Sequence, residues 1–182
     1  MNGAEILTTI AQLGAAVTGF SGIAIAFNRH PGRLGEFEAF RVSILFANSL
    51  AAVFLALVPF AFFQLGWPDS TIWRVCSGGF ALFEVVFLAT HFAPARRFIR
   101  QHRALFNVGL LTFVTCGHLM NGIAQLLSAT GVFDRILAVY VFGLLWILFH
   151  STFQFGRILF VQPDTGGAMS MPRTKPADQA DG

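Results

Sequence analysis

Apolar residues run in five long stretches, at 6–27, 42–65, 72–92, 105–127 and 136–155, separated by short polar gaps. A helix needs about 20 mostly apolar residues to cross a hydrocarbon core roughly 30 Å thick. The pattern therefore predicts an all-α integral membrane protein, a bundle of five transmembrane helices. The first stretch lacks a basic leader and a convincing cleavage site, and reads as a retained helix rather than a signal peptide. Pro59, inside the second stretch, predicts a kink. Trp67 and Trp73 bracket the turn around Pro68 and Asp69, where interfacial aromatics belong. Past Val161 the chain turns to Pro, Gly, Asp and Ser, so residues 1–162 read as the transmembrane domain and 163–182 as a disordered cytoplasmic tail.

Composition agrees with this reading, and charge adds a direction. The chain is 55% hydrophobic and 12% charged, too little charge to cover a soluble domain of this size. Of the 12 Lys and Arg residues, Arg29, Arg33 and Arg41 fall in or at the edge of the first gap. Arg96, Arg97, Arg100 and Arg103 fall in the third, and Arg157, Arg173 and Lys175 on the C-terminal flank. The other two gaps hold only Arg74 and Arg135. Basic residues in short loops stay cytoplasmic, which predicts a multi-pass protein of the cell (cytoplasmic) membrane, N-terminus outside and C-terminus cytoplasmic. The net charge of +3 comes from arginines flanking apolar segments, so the expected partners are the lipid bilayer and no nucleic acid. The segment around Arg96, Arg97, Arg100 and Arg103 is a candidate contact for anionic lipid, as a basic turn or a short interfacial helix.

Polar residues inside the spans are the candidate chemistry. Ionisable groups at mid-membrane cost about 2.5–3.5 kcal/mol or more, so those present usually face the bundle interior and have partners. Glu84 sits near the middle of the third span, with Ser77, Ala81 and His91 on the same helical face. The fourth span carries Thr115, His118, Gly122 and Gln125 as a stripe, with Asn121 beside it. The fifth carries His150, Gln154 and Arg157, and the second Arg41 and Asn48. Counting 1.5 Å per residue from each cytoplasmic end places Asn48, Glu84 and His150 roughly 10–15 Å deep and His118 roughly 20 Å deep. Glu84, His118, His150, Asn48 and Asn121 are accordingly the candidate ion-binding or pathway residues. Gly14, Thr18, Gly19 and Gly22 form a small-residue ladder on the first span, expected to mediate close helix packing at the bundle centre or between subunits.

Enzyme motifs are thin. Gly19-Phe20-Ser21-Gly22 resembles the G-x-S-G motif of intramembrane serine proteases, but the resemblance covers four residues and places Ser21 near the cytoplasmic end of the first span. His118 and His150, the pair that could ligate a b-type haem, come out about 10 Å apart in depth by the same count. No cofactor is expected, metal ligation is left open, and catalysis is not the favoured class. The leading expectation is an oligomeric channel or transporter for a small ion, a homo-oligomer lined by the Glu/His/Asn layer. The alternative is a structural or accessory membrane subunit whose polar residues only join helices or bind a partner.

Overall fold

The computed structural model describes residues 3–27, 36–101 and 108–160. It is all-helical: α1 Ala4–Phe27, α2 Glu36–Gln64, α3 Asp69–Gln101, α4 Val108–Thr130 and α5 Ile136–Phe160. All five are long and apolar enough to cross a membrane. The tail expected at 163–182 lies outside the described residues, as does Arg103.

The helices alternate in direction. One end of the bundle gathers Arg41, Arg157 and the C-terminal turns of α3, as the packing of Phe40 on Phe98 at 5.3 Å requires; we call it the basic end. At the opposite end Trp73 packs on Tyr140 at 5.8 Å. α3 packs along α4, and α1 along α2, while α5 touches each of the other four. α2 and α5 therefore form the centre. α1, expected at the centre or a subunit interface, lies among the described residues against α2 and α5 alone.

The turns at the end opposite the basic one share a cap. Gly66, at φ 75°, donates to Phe63 O, and Trp67 donates to Phe62 O; Gly131, at φ 82°, repeats the arrangement with Ser128 and Val132 with Leu127. This is the Schellman pattern, which places a residue at positive φ where glycine carries no Cβ penalty. The apolar contact that accompanies it is the stack of Phe62 on Trp67 at 4.8 Å. At the basic end α3 does not stop near residue 92. It continues through Pro94 to Gln101, so Arg96, Arg97 and Arg100 stand on a helical extension of the third span. Arg96 lies over the Phe92 ring, and Arg97 approaches Glu36 at 3.9 Å with both side chains exposed.

Pro59 has a specific consequence. A proline has no N–H, so the carbonyl four residues earlier, that of Leu55, loses its helical donor. The Tyr140 hydroxyl on α5 donates to this Leu55 oxygen at 2.6 Å, with Tyr140 fully buried. The tyrosine replaces the bond the proline removed. Tyr140→Phe is expected to cost about 1–2 kcal/mol, because an unpaired carbonyl has no water to turn to. In a Pro59→Ala background, which restores the N–H, the same change should cost much less. Unfolding in detergent micelles measures both, and equal costs in the two backgrounds would exclude this account.

Candidate functional site

Three ionisable side chains from three helices meet in the bundle interior. Glu84 (α3) contacts His118 (α4) through Oε2 and Nδ1 at 2.7 Å, and His118 Nε2 lies 2.8 Å from His150 Nδ1 (α5). Glu84 and His118 are wholly buried and His150 nearly so. Each sits on the polar stripe of its helix, and the stripes face inward because the other faces carry large apolar residues suited to lipid.

Neighbouring amides define where the protons lie. Gln125 donates to Val139 O at 3.0 Å, which orients its amide, and its nitrogen lies 3.4 Å from Asn121 Oδ1. Asn121 is thereby turned to donate from Nδ2 to Glu84 Oε1 at 2.6 Å. On the other flank Asn48 donates to Ile44 O at 3.0 Å, and the same Nδ2 faces His150 Nδ1 at 3.3 Å. An amide N–H facing that nitrogen makes His150 Nδ1 an acceptor, so His118 Nε2 must carry the hydrogen between the two rings. One proton then lies between Glu84 and His118, on the carboxyl oxygen or on Nδ1, and the pair is neutral either way. His150 carries its own proton on Nε2, which is 3.2 Å from the Gln154 amide. That contact is satisfied with the Gln154 oxygen facing the ring. The result is a directional chain, Gln125–Asn121–Glu84–His118–His150–Gln154, through four kinds of side chain and three helices.

The histidines reach a cavity. A space of about 90 Å³ at the basic end has His118 and His150 among its lining residues, with Gln154, Arg157 and Arg41 also in its walls. Such a volume holds several waters where polar partners are present. Beyond the relay, toward the other end, Phe80, Tyr140, Leu144 and Ile147 fill the bundle interior and are fully buried, while a second, apolar-walled space of about 350 Å³ between α3 and α4, lined by Gly78, Ala81, Gly122 and Leu126, borders Glu84 and His118. Phe87 packs against the relay, its ring tilted 4.6 Å from His118 and edge-on 6.4 Å from His150. The arrangement is asymmetric: the relay borders a cavity of mixed polar and apolar lining toward the basic end, and apolar side chains past Glu84.

The five candidate pathway residues, Glu84, His118, His150, Asn48 and Asn121, thus lie in one hydrogen-bonded group. The depth estimate for His118 needs correction. It put this residue deeper than His150 because the fourth span was begun at residue 105 and the fifth ended at 155. The 2.8 Å contact between their rings puts the two histidines at nearly one level. Direct contact also leaves no room for an iron between the two rings. Glu84 and the histidines point their donor atoms at one another, and among the described residues no cluster of three or more His, Cys, Asp or Glu is arranged to hold a metal ion. Ser21 donates to Val17 O at 2.6 Å within its own helix.

The ladder on α1 divides. A Cβ at Gly14 would sit 3.0 Å from Ser49 O, and Thr18 donates to Ser49 Oγ at 2.8 Å, so these two positions let α1 approach α2. Gly19 and Gly22 have open space around them. Two glycines absent from the sequence reading carry closer contacts. A Cβ on Gly117 would overlap the Trp146 ring, and one on Gly143 would overlap the Gln125 amide and reach Asn121 Oδ1 at 2.5 Å. Their signal in the sequence was slight: each is a glycine within a helix, one of them a residue from His118.

Compared with protein-family models, with curated proteins and with solved structures, the chain matches none of them.

Proposed function

We propose that this multi-pass membrane protein handles protons, binding and passing them through the Glu84–His118–His150 relay as a channel or transporter. The observation that carries the reading is the unbroken contact of three titratable groups, at 2.7 and 2.8 Å, in a fully buried setting. Ionisable residues held inside a membrane domain mark ion pathways and proton relays by default. A proton moving from Glu84 to His118 Nδ1, while the Nε2 proton moves on to His150, shifts charge toward the cavity without moving any heavy atom. Asn48, Asn121, Gln125 and Gln154 hold the groups in line. Access is from the basic end, which the arginine bias assigns to the cytoplasm, with the N-terminus outside. The relay is complete within one chain, so the mechanism does not need the expected homo-oligomer, although it is compatible with one.

The apolar packing beyond Glu84 gives the proposal a further requirement. Passage to the far side needs movement of Phe80 or Tyr140, or a second conformation. That packing also favours the rival reading, a subunit in which the network only locks α3, α4 and α5 together.

The deciding measurement uses proteoliposomes loaded with a pH-sensitive dye, with a potassium diffusion potential driving protons. The expected result is proton uptake at least tenfold above protein-free vesicles, unaffected by replacing sodium with choline outside. Uptake no greater than in protein-free vesicles, from protein that is helical and monodisperse, would overturn transport in favour of the structural lock.

A further inference from the structure

All four nitrogens of the relay histidines face protein partners. His118 Nδ1 faces Glu84 and its Nε2 faces His150, while His150 Nδ1 also faces Asn48 and its Nε2 faces Gln154. A third histidine on the wall of the same cavity is arranged differently. His91 on α3 is half-buried and lines the basic-end cavity together with His118, His150 and Thr115. Its Nδ1 lies 2.9 Å from Phe87 O and 3.0 Å from Thr90 Oγ1, and the Thr90 hydroxyl donates to Val86 O at 2.8 Å. Two acceptors facing one nitrogen put the ring hydrogen on Nδ1 and leave Nε2 with a lone pair. That Nε2 makes no hydrogen bond among the described residues, and it is open rather than buried.

The His91 ring is held in this attitude by its neighbours. Phe87 stacks on it at 4.4 Å, and Phe40 lies at 6.0 Å. Phe87 also has His118 at 4.6 Å, so a phenyl ring lies between the two imidazoles. A proton passing between His91 and the relay has to go round that ring, through the cavity, whose volume of about 90 Å³ admits water. The charged and titratable groups on the same walls are Arg41 on α2, His118 on α4, and His150 and Arg157 on α5. Glu38 acts on Arg41 from the same helix. The Phe87 face accommodates an imidazolium at His91.

We propose that His91 exchanges the relay's protons with water at the basic end, as a proton acceptor beyond His150. This role rests on the proton-relay reading. When the shifted proton has made His150 an imidazolium, its Nε2 hydrogen leaves Gln154 for a cavity water. The Nε2–H bond breaks, that water passes a proton to the His91 lone pair, and a His91 Nε2–H bond forms. His150 is left neutral with its hydrogen on Nδ1, and the charge has moved to His91. Release to water at the cavity mouth returns His91 to its neutral Nδ1–H form.

Two measurements test this. In the wild-type protein in dodecyl maltoside, deuterium exchange at the imidazole C2 position, which needs a ring that takes up protons from solvent, is followed for each histidine by mass spectrometry. His91 should exchange about tenfold or more faster than His118 and His150, whose nitrogens are committed. The second is flux in the dye-loaded proteoliposomes. His91→Asn keeps an amide hydrogen for Phe87 O but cannot titrate, whereas His91→Glu loses that hydrogen and restores a titratable group. Flux should fall by about a hundredfold in the Asn variant, and the Glu variant should recover part of it; a purely structural role gives the reverse order. Flux in His91→Asn equal to wild type, or above that in His91→Glu, would overturn the role of His91 and leave the relay standing. Wild-type flux no greater than in protein-free vesicles would remove the relay and this role together. Exchange at His91 no faster than at His118 and His150 would overturn the proposal whether or not the variants fold.

Discussion

Glu84→Gln is expected to leave the protein folded and to reduce proton flux by about a hundredfold, the lower end of what a positioned proton-transfer group contributes. The reason lies in the donors around the carboxyl. Asn121 Nδ2 faces one oxygen and His118 Nδ1 the other. A glutamine there keeps its oxygen toward Asn121 and donates its amide hydrogen to His118 Nδ1, with the His118 hydrogen on Nε2 as before. Every hydrogen bond survives, and the stability change should stay within about 1 kcal/mol. The variant has no proton to give, so the network is held in a single state. Glu84→Ala would not separate the two effects, because it strands a buried donor, Asn121 Nδ2, and a buried acceptor, His118 Nδ1, at about 1–3 kcal/mol each. Flux in Glu84→Gln equal to wild type, with matched unfolding curves, would remove the carboxyl from the pathway and leave the structural reading.

Gly143→Ala is expected to disrupt the amide ladder that orients the relay. The new Cβ would overlap the Gln125 amide, sit 2.5 Å from Asn121 Oδ1 and 2.9 Å from Phe80. Neither amide can retreat freely, since Gln125 is bonded to Val139 O and Asn121 to Glu84. Overpacking a close-fitted core costs about 1–3 kcal/mol, and displacing a buried amide from its partners adds about 1–3 kcal/mol more. The total should be about 3 kcal/mol, read as a lower detergent-unfolding midpoint, with flux lost as Asn121 leaves Glu84. Gly19→Ala is the matched control. Nothing lies within 4 Å of that Cβ position, and its effect should remain under about 1 kcal/mol. Similar losses at both positions would mean that the added methyl acts through the helix backbone rather than through the amide ladder.

Both predictions rest on side chains whose helical face could be read from spacing but whose partners could not. Glu84, His118, His150, Asn48 and Asn121 stand out in the sequence because polar groups are costly in an apolar span. Gln125 and Gln154 belonged to the same stripes, yet nothing in the spacing indicates that these amides orient the relay. Tyr140 carries no such signal, since an isolated tyrosine in an apolar run has no pattern. Its role appears only when α5 is laid against the carbonyl that Pro59 leaves bare. The four small residues on α1 looked equivalent by spacing, but Gly14 and Thr18 meet α2 whereas Gly19 and Gly22 face open space.

By itself the sequence determined the number of helices, the end at which most of the positive charge collects and the polar face of each span. These follow from local quantities: the length of an apolar run, the 3.6-residue period and the cost of placing charge in lipid. The tertiary structure alone decided that His118 and His150 touch, that α2 and α5 form the centre, and that the relay borders a cavity toward the basic end with buried apolar side chains in the interior beyond Glu84. Those outcomes depend on how far each helix extends and how neighbours slide and rotate against one another. An error of three residues in a helix end moves a side chain by about 4–5 Å, enough to make or break a hydrogen bond.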